Sequence, residues 1–154
     1  MGEERMSKIK FIVGVLVVSL SLPLFSQDAN LHLAAMEGNA GKVKAAIAGG
    51  ANVNSTMSGG WTPLMIASKY GKSAVITALL KGNADINMTN DSGNTALNVA
   101  VVANDVQAVK ILLTHDARID IRNNQGLDAF EIARVMNREE ILKLLEDHQA
   151  QKGS

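Results

Sequence analysis

A fixed interval between like residues recurs along this chain and constrains its fold more than any other feature. Glycines stand at equal intervals at Gly60, Gly93 and Gly126. The same interval separates the members of two apolar series, Leu31, Leu64, Leu97 and Phe130, and then Ala34, Ala67, Ala100 and Ala133. Four copies of one short unit at a fixed period predict a stacked array, in which each unit buries its apolar side against its neighbours.

Within each unit the pattern indicates two helices joined by a turn. In the second unit Thr62 stands where a helix N-cap is expected, and Pro63 follows at the first helical position, where a missing N–H does no harm. Thr95 and Asp128 occupy the same capping place in the next two units. The end of each second helix carries a residue type that tolerates positive φ, which predicts a left-handed turn there. These residues are Gly50, Asn83 and Asp116.

Two further patterns predict how the units start and connect. Asn104 with Gln107, and Asn137 with Glu140, have the spacing of a capping box, so each pair is expected to begin a second helix. After the helix-ending turns, apolar residues alternate with polar ones, which predicts the short extended arms of hairpins between units. The apolar residues of these arms are Val53, Ile86 and Ile119.

The unit resembles the ankyrin repeat. The stretch from Gly60 to Ala67, Gly-Trp-Thr-Pro-Leu-Met-Ile-Ala, follows the family pattern G-x-T-P-L-H-x-A, and the resemblance extends from about Ala29 to His148. It implies an all-α repeat fold, an ankyrin solenoid of about four helix-turn-helix repeats with short β-hairpin loops. The expected repeats cover residues 29–56, 57–89, 90–122 and 123–150, followed by a disordered tail at 151–154.

One departure from the family pattern concerns its histidine. The His of T-P-L-H is present only as His32, and its place is taken by Met65, Asn98 and Glu131 in the later repeats. The polar contacts that this His usually makes are therefore in question, and we expect a moderate rather than a very high stability.

The segment 1–26 has the pattern of a secretory signal peptide. Lys8 and Lys10 precede an apolar run from Phe11 to Phe25, and polar residues begin at Gln27. We expect cleavage after Ser26 and a periplasmic or secreted protein, with no stable membrane insertion once the signal is removed. The alternative is an uncleaved signal anchor that tethers the repeats to the membrane. The chain has no cysteine to carry a lipid.

Composition argues against several classes of function. Fifteen basic residues balance fifteen acidic ones, so no positive excess draws the protein to nucleic acid. His115 and His148 hold the same place in adjacent repeats, and stacked helices about 8–10 Å apart would keep them from sharing one metal ion. The serines show no pairing with a base that would make a nucleophile. We expect no enzyme activity, no catalytic, metal or cofactor site, and a monomer.

The resemblance implies where a partner would bind. In ankyrin repeats the hairpin tips and the exposed side of the first helices form a concave surface for protein partners. We call the corresponding positions of this chain the candidate face: Met36, Glu37, Trp61, Lys69, Tyr70, Asp91, Asn94, Val102, Leu127, Val135 and Met136. Trp61 and Tyr70 are the chain's single Trp and single Tyr, and aromatic residues of this kind anchor binding hot spots. The alternative is that both rings only pack within the repeat array.

We therefore expect a non-catalytic scaffold or adaptor that acts in the periplasm or outside the cell and binds a protein on its concave face. The alternative is a protective or inhibitory partner of a toxin or of a periplasmic enzyme, which would use the same face to block an active site.

Overall fold

The computed structural model describes residues 23–152, with side chains from Gln27 onward. Helices account for most of this range, in four consecutive pairs. They are α1 (Pro23–Glu37), α2 (Ala40–Ala48), α3 (Pro63–Lys69), α4 (Ser73–Lys81), α5 (Ala96–Val102), α6 (Val106–Thr114), α7 (Ala129–Val135) and α8 (Glu139–Lys152). The odd-numbered helices pack side by side in one row and the even-numbered helices in a second row. The predicted all-α repeat array is confirmed.

The periodic apolar residues form one continuous core between the two rows. Leu31, Leu64 and Leu97 are fully or almost fully buried. Ala67 and Ala100 have no exposed surface, and they lie on neighbouring odd-numbered helices that contact each other. A small side chain at this place lets the helices approach closely, which explains why alanine recurs there.

The predicted caps and left-handed turns are present. Thr62 and Thr95 each accept a hydrogen bond from the backbone N–H three residues on, at 3.3 and 3.2 Å. Asp128 does the same, and Glu131 reaches back to the N–H of Asp128, which completes a capping box. The φ angles of the three predicted left-handed residues are positive, at 93° for Gly50, 63° for Asn83 and 62° for Asp116.

The capping boxes predicted at Asn104 and Asn137 are wrong. Both asparagines have positive φ, 57° and 53°, and end the odd-numbered helices. The N-cap of α6 is Asp105, which accepts a hydrogen bond from the backbone of that helix at 2.7 Å. The reason is positional: Asn104 and Asn137 hold the place of Gly38 and Gly71, where the turn between helices requires positive φ.

The connections between repeats are tight turns. We call them tip one (Met57–Trp61), tip two (Asn90–Asn94) and tip three (Asn123–Leu127). Each is closed by a hydrogen bond from the N–H of its first residue to the C=O of its last, at 3.0 to 3.1 Å. Between residues 23 and 152 the strand-like pairing is limited to an isolated bridge within tip one. The extended arms predicted at Val53, Ile86 and Ile119 are therefore turns and irregular segments, although the side chains of all three pack against the core.

Hydrogen bonds tie neighbouring tips together. The N–H of Asp91 donates to the C=O of Gly59, and the N–H of Asn124 donates to the C=O of Ser92, both at 3.0 Å. In each case the later tip donates and the earlier tip accepts. The tips thus form a ladder with a direction.

A second series of bonds runs in the same direction beside the tips. The side-chain oxygen of Asn54 accepts from the N–H of Asp85 at 2.8 Å, and that of Asn87 accepts from the N–H of Arg118 at 3.0 Å. Asn54 and Asn87 hold the same place one repeat apart. An Asn side chain there therefore bridges each of these repeats to the next.

The family histidine is replaced without full loss of its contact. The Nε2 atom of His32 lies 3.1 Å from the C=O of Ser55, and its Nδ1 atom lies 2.8 Å from the C=O of Asp28. Two repeats later the Nδ2 atom of Asn98 donates to the C=O of Ile121, at 3.4 Å. Both contacts span 23 residues, so the Nδ2 atom of Asn98 takes the place that the Nε2 atom of His32 holds in the first repeat.

The C-terminal end of the array differs from the predicted boundary, and the N-terminal boundary stays a prediction. The tail was expected to begin at residue 151, yet α8 continues to Lys152, whose Nζ donates to Asp116 at 2.8 Å. At the other end α1 begins at Pro23, inside the predicted signal peptide. Residues 1–22, which carry most of that prediction, and residues 153–154 lie outside the described range. Among the helices that are described, none combines the length and apolar character needed to cross a membrane.

Candidate functional site

Most of the candidate face is open to solvent. The exposed members are Met36, Glu37, Lys69, Tyr70, Asp91, Val102, Val135 and Met136. Apart from Asp91, which lies on tip two, all of them stand at the C-terminal ends of the odd-numbered helices. Because the repeats are in register, these residues form two neighbouring rows with one position per repeat. The row that begins at Met36 continues with Lys69, Val102 and Val135.

The three remaining members are half-buried and share one place, the last residue of each tip. Trp61 and Leu127 pack against the hydrophobic core. Asn94 instead belongs to the tip network: its N–H donates to Asn90 at 3.0 Å, and its side-chain oxygen accepts from Asn123 at 2.9 Å. These three residues therefore stabilise the tips, in addition to any contact that they make with a partner.

Trp61, Lys69 and Tyr70 come together, and we call them the aromatic-lysine cluster. The Nζ atom of Lys69 lies 5.2 Å from the centroid of the Trp61 ring and 5.5 Å from that of Tyr70. A cation within about 6 Å of an aromatic face is attracted by the ring, by about 0.5–1 kcal/mol at an exposed site. Tyr70 keeps 48% of its surface exposed. The cluster presents one charge and two rings at the surface.

The local fold explains why these three residues meet. Trp61 ends tip one just before the Thr62 cap, so its ring stands at the N-terminal end of α3. Lys69 is the last residue of that helix and Tyr70 is its C-cap. Side chains on a helix lean toward its N-terminus, so the long side chain of Lys69 reaches back toward Trp61.

The charge of Lys69 is not matched on the candidate face. Among residues 23–152, no carboxylate lies within ion-pair distance of its Nζ atom. The nearest acidic member along the two rows, Glu37, is already paired with Lys42 at 2.9 Å. The other members of the Lys69 row are apolar. The row of Lys69 therefore consists of exposed apolar side chains around one cation without a carboxylate partner, while the two acidic members of the face, Glu37 and Asp91, lie outside that row.

A family model that describes three copies of the ankyrin repeat matches residues 16–90 and, a second time, residues 73–154. The chain belongs to the ankyrin repeat family. Ankyrin repeats are generally modules for protein–protein interaction and are typically non-catalytic. A search of curated proteins found no match to this chain.

The family match overlaps the predicted signal peptide. It begins at residue 16, whereas the signal peptide was expected to end at Ser26. Residues 16–26 therefore fit two descriptions, one as the end of a leader and the other as the beginning of the first ankyrin repeat. The start of the mature chain decides between them.

Two exposed apolar residues were not predicted for the surface of this ankyrin array. Leu33 is 51% exposed and Met57 is 45% exposed. Leu33 holds the place of Ile66 and Val99, which are buried because a preceding odd-numbered helix covers them. Leu33 lies on the first odd-numbered helix and Met57 lies on the first tip. Among residues 23–152 no earlier helix or tip packs against them. The position of Leu33 in the first repeat and of Met57 in the first tip was the signal that could have identified them.

Other charged contacts lie beside the candidate face and beyond it. Arg138 donates to the C=O of Val102 at 3.3 Å, and Arg122 donates to the C=O of Gly126 in tip three at 3.0 Å. A hydrogen bond from Lys152 lowers the pKa of Asp116, and one from Arg118 lowers the pKa of Asp120. The Nδ1 atom of His115 lies 2.9 Å from a carbonyl oxygen of its own helix. Across residues 23–152, potential metal ligands do not gather in groups of three or more.

Proposed function

We propose that this ankyrin repeat protein is a non-catalytic adaptor that binds a protein partner through its candidate face. The aromatic-lysine cluster is the observation that carries the proposal. It stands on the second of the four repeats and is flanked along its row by exposed Met36 and Val102. A partner that covers this region would bury two aromatic rings at once, and such rings dominate the energy of many interfaces.

The apolar side chains around the cluster support the same assignment. Val135 is 70% exposed and Val102 is 46% exposed, although the framework positions beside them are buried. Single exposed apolar residues are ordinary on protein surfaces, but a row of them on one face is typical of an interaction site. The row continues across the successive repeats, which fits a partner that contacts several of them.

We further propose that the protein acts in the periplasm or outside the cell. The support is the sequence pattern of residues 1–26, in which two lysines precede an apolar run. The mature chain should then begin near Gln27, within α1. N-terminal sequencing of the native protein tests this, and recovery of an intact residue 11–25 segment in the membrane pellet would instead show a signal anchor.

The binding proposal is tested by cross-linking in native envelope fractions followed by mass spectrometry. Replacing Trp61 and Tyr70 together with Ala should weaken partner capture by about thirtyfold or more, since losing hot-spot aromatics costs about 2 kcal/mol or more. The matched control replaces two exposed lysines of the even-numbered helices, Lys81 and Lys110, with Ala. This control should leave capture unchanged.

Folding is measured in parallel by circular dichroism, because Trp61 also contacts the core. Tyr70→Ala alone serves as the second variant, since Tyr70 is exposed and its loss should leave the fold intact. Undiminished capture by a folded double variant would contradict the proposal. An assay of the captured partner's own activity then separates an adaptor from an inhibitor, because only an inhibitor changes that activity.

A further inference from the structure

We propose that the partner contacts the candidate face with an amphipathic helix, which places an acidic side chain on Lys69 and apolar side chains on Val102 and Val135. This inference rests on the proposed function and specifies the chemistry of the partner. It is carried by the spacing of the exposed row and by the unmatched charge within it.

The spacing of the row follows from the stacking of the repeats. Lys69, Val102 and Val135 hold the same place on α3, α5 and α7, which pack side by side. Neighbouring packed helices lie about 8–10 Å apart. A partner segment that runs along the row must therefore present one side chain about every 10 Å, all on the same side.

A helix meets this requirement and a β-strand does not. A proline substitution in the partner separates the helix from a polyproline II segment, whose third residues also face one side about every 9 Å. Seven helical residues advance about 10.5 Å and complete almost two turns, so residues seven apart face the same side. Three extended residues also advance about 10 Å, but side chains three apart in a strand point to opposite faces. A helical partner can therefore contact successive repeats with one face, at positions i, i+7 and i+14.

The charge of the row specifies the first of these positions. Covering Lys69 removes water from its ammonium group, and a buried cation without a partner is strongly unfavourable. Within residues 23–152 no carboxylate reaches Lys69, so the counter-charge has to come from the partner. The two rings beside the ammonium group hold it in place for that contact.

The next two positions of the row call for apolar side chains. The side chains of Val102 and Val135 are exposed and uncharged, and the C=O of Val102 already accepts a hydrogen bond from Arg138 at 3.3 Å. A Leu side chain at i+7 and at i+14 would cover them. The partner helix thus has an acidic residue at one end of an apolar seam.

The test uses two synthetic helical peptides and the full chain. One peptide carries Glu at position i and Leu at i+7 and i+14, and the other is identical except for Lys at position i. Binding is measured by isothermal titration calorimetry and by the fluorescence of Trp61, the single Trp of the chain. The Glu peptide should bind at least tenfold more tightly than the Lys peptide.

Charge reversal on the protein gives the decisive result. Lys69→Glu should invert the preference, so that the Lys peptide binds more tightly, whereas the matched change Lys81→Glu on α4 should leave it unaltered. Lys69→Met should bring the two peptides to equal affinity. A proline in the centre of the Glu peptide should abolish binding, because it breaks the helix.

Failure of this inference is distinct from failure of the proposed function. Equal affinity of the two peptides for the unchanged protein, or binding of neither, overturns the inference. So does a preference that Lys69→Glu does not alter. The proposed function stands or falls separately on whether the change at Trp61 and Tyr70 removes capture of the native partner.

Discussion

Two glycines in equivalent places allow the contact between tips to be tested against an internal control. Gly93 and Gly126 have nearly the same φ, +76° and +78°. A Cβ atom added at Gly93 would lie 2.7 Å from the side-chain oxygen of Asn124, 2.9 Å from its backbone N and 3.0 Å from the Cα of Asn123. At Gly126 no described atom lies within 4 Å of such a Cβ. The two sites share the backbone conformation and differ in the neighbouring tip.

The expected losses follow from backbone strain and from crowding. An alanine held in the left-handed region costs about 1–2 kcal/mol, so Gly126→Ala should lower the free energy of unfolding by about that amount. Gly93→Ala carries the same strain and also overpacks against backbone, which typically adds about 1–3 kcal/mol. The total of about 2–5 kcal/mol is a large share of the roughly 5–15 kcal/mol that stabilises an ordinary domain.

The assay is urea unfolding of both variants and the unchanged protein, followed by circular dichroism of the helices and extrapolated to water. Gly60→Ala provides a second crowded site, because its Cβ would lie 2.9 Å from the backbone N of Asp91. Equal losses at Gly93 and Gly126 would refute the reasoning, since they would show that the next tip does not pack against this glycine.

Three further outcomes are expected. Ala100→Leu should lower the free energy of unfolding by about 1–3 kcal/mol, and an unchanged melting temperature would show that the register of the odd-numbered helices is wrong. Asn98→Ala should cost about 1 kcal/mol in the same titration, because the C=O of Ile121 loses its donor. Lys152→Met should raise the pKa of Asp116 toward the ordinary 3.8, measured by NMR titration. Because the folded-state pKa lies below the ordinary one, the contribution of this pair to stability is present above pH 3.8 and should disappear as the pH falls through the lowered value.

The repeat period was enough to predict the order of the helices and most of their caps. It failed at Asn104, because asparagine favours an N-cap and also tolerates positive φ, and the local sequence does not separate the two. Comparison with Gly38 and Gly71 in the same place would have resolved it, since glycine there points to the turn. The end of α8 was missed because the polar composition of residues 149–152 does not reveal the contact between Lys152 and Asp116.

The sequence predicted which positions form the candidate face. It did not predict which of their side chains contact one another. That Lys69 reaches two rings depends on the rotamer of a long side chain, which no sequence pattern specifies. The exposure of Leu33 depends on the absence of a neighbour in the described array, because its own type and periodic place are those of a buried residue. The contacts of long side chains and the exposure of residues at the ends of the array were therefore the features that the sequence did not predict.

The direction of the bonds that Asn54 and Asn87 form between repeats bears on how such a chain changes its length during evolution. Asn54 and Asn87 each offer an acceptor to the repeat that follows. A repeat duplicated in the middle of the chain would donate a backbone N–H to the Asn side chain of the repeat before it. Its own Asn side chain would accept from the repeat after it, so no new kind of contact is needed. The third repeat offers no such acceptor to the fourth, because Asp120 stands in the place of these asparagines and is paired with Arg118. Growth by duplication is therefore expected to be easier among the first three repeats than at the junction between the third and the fourth.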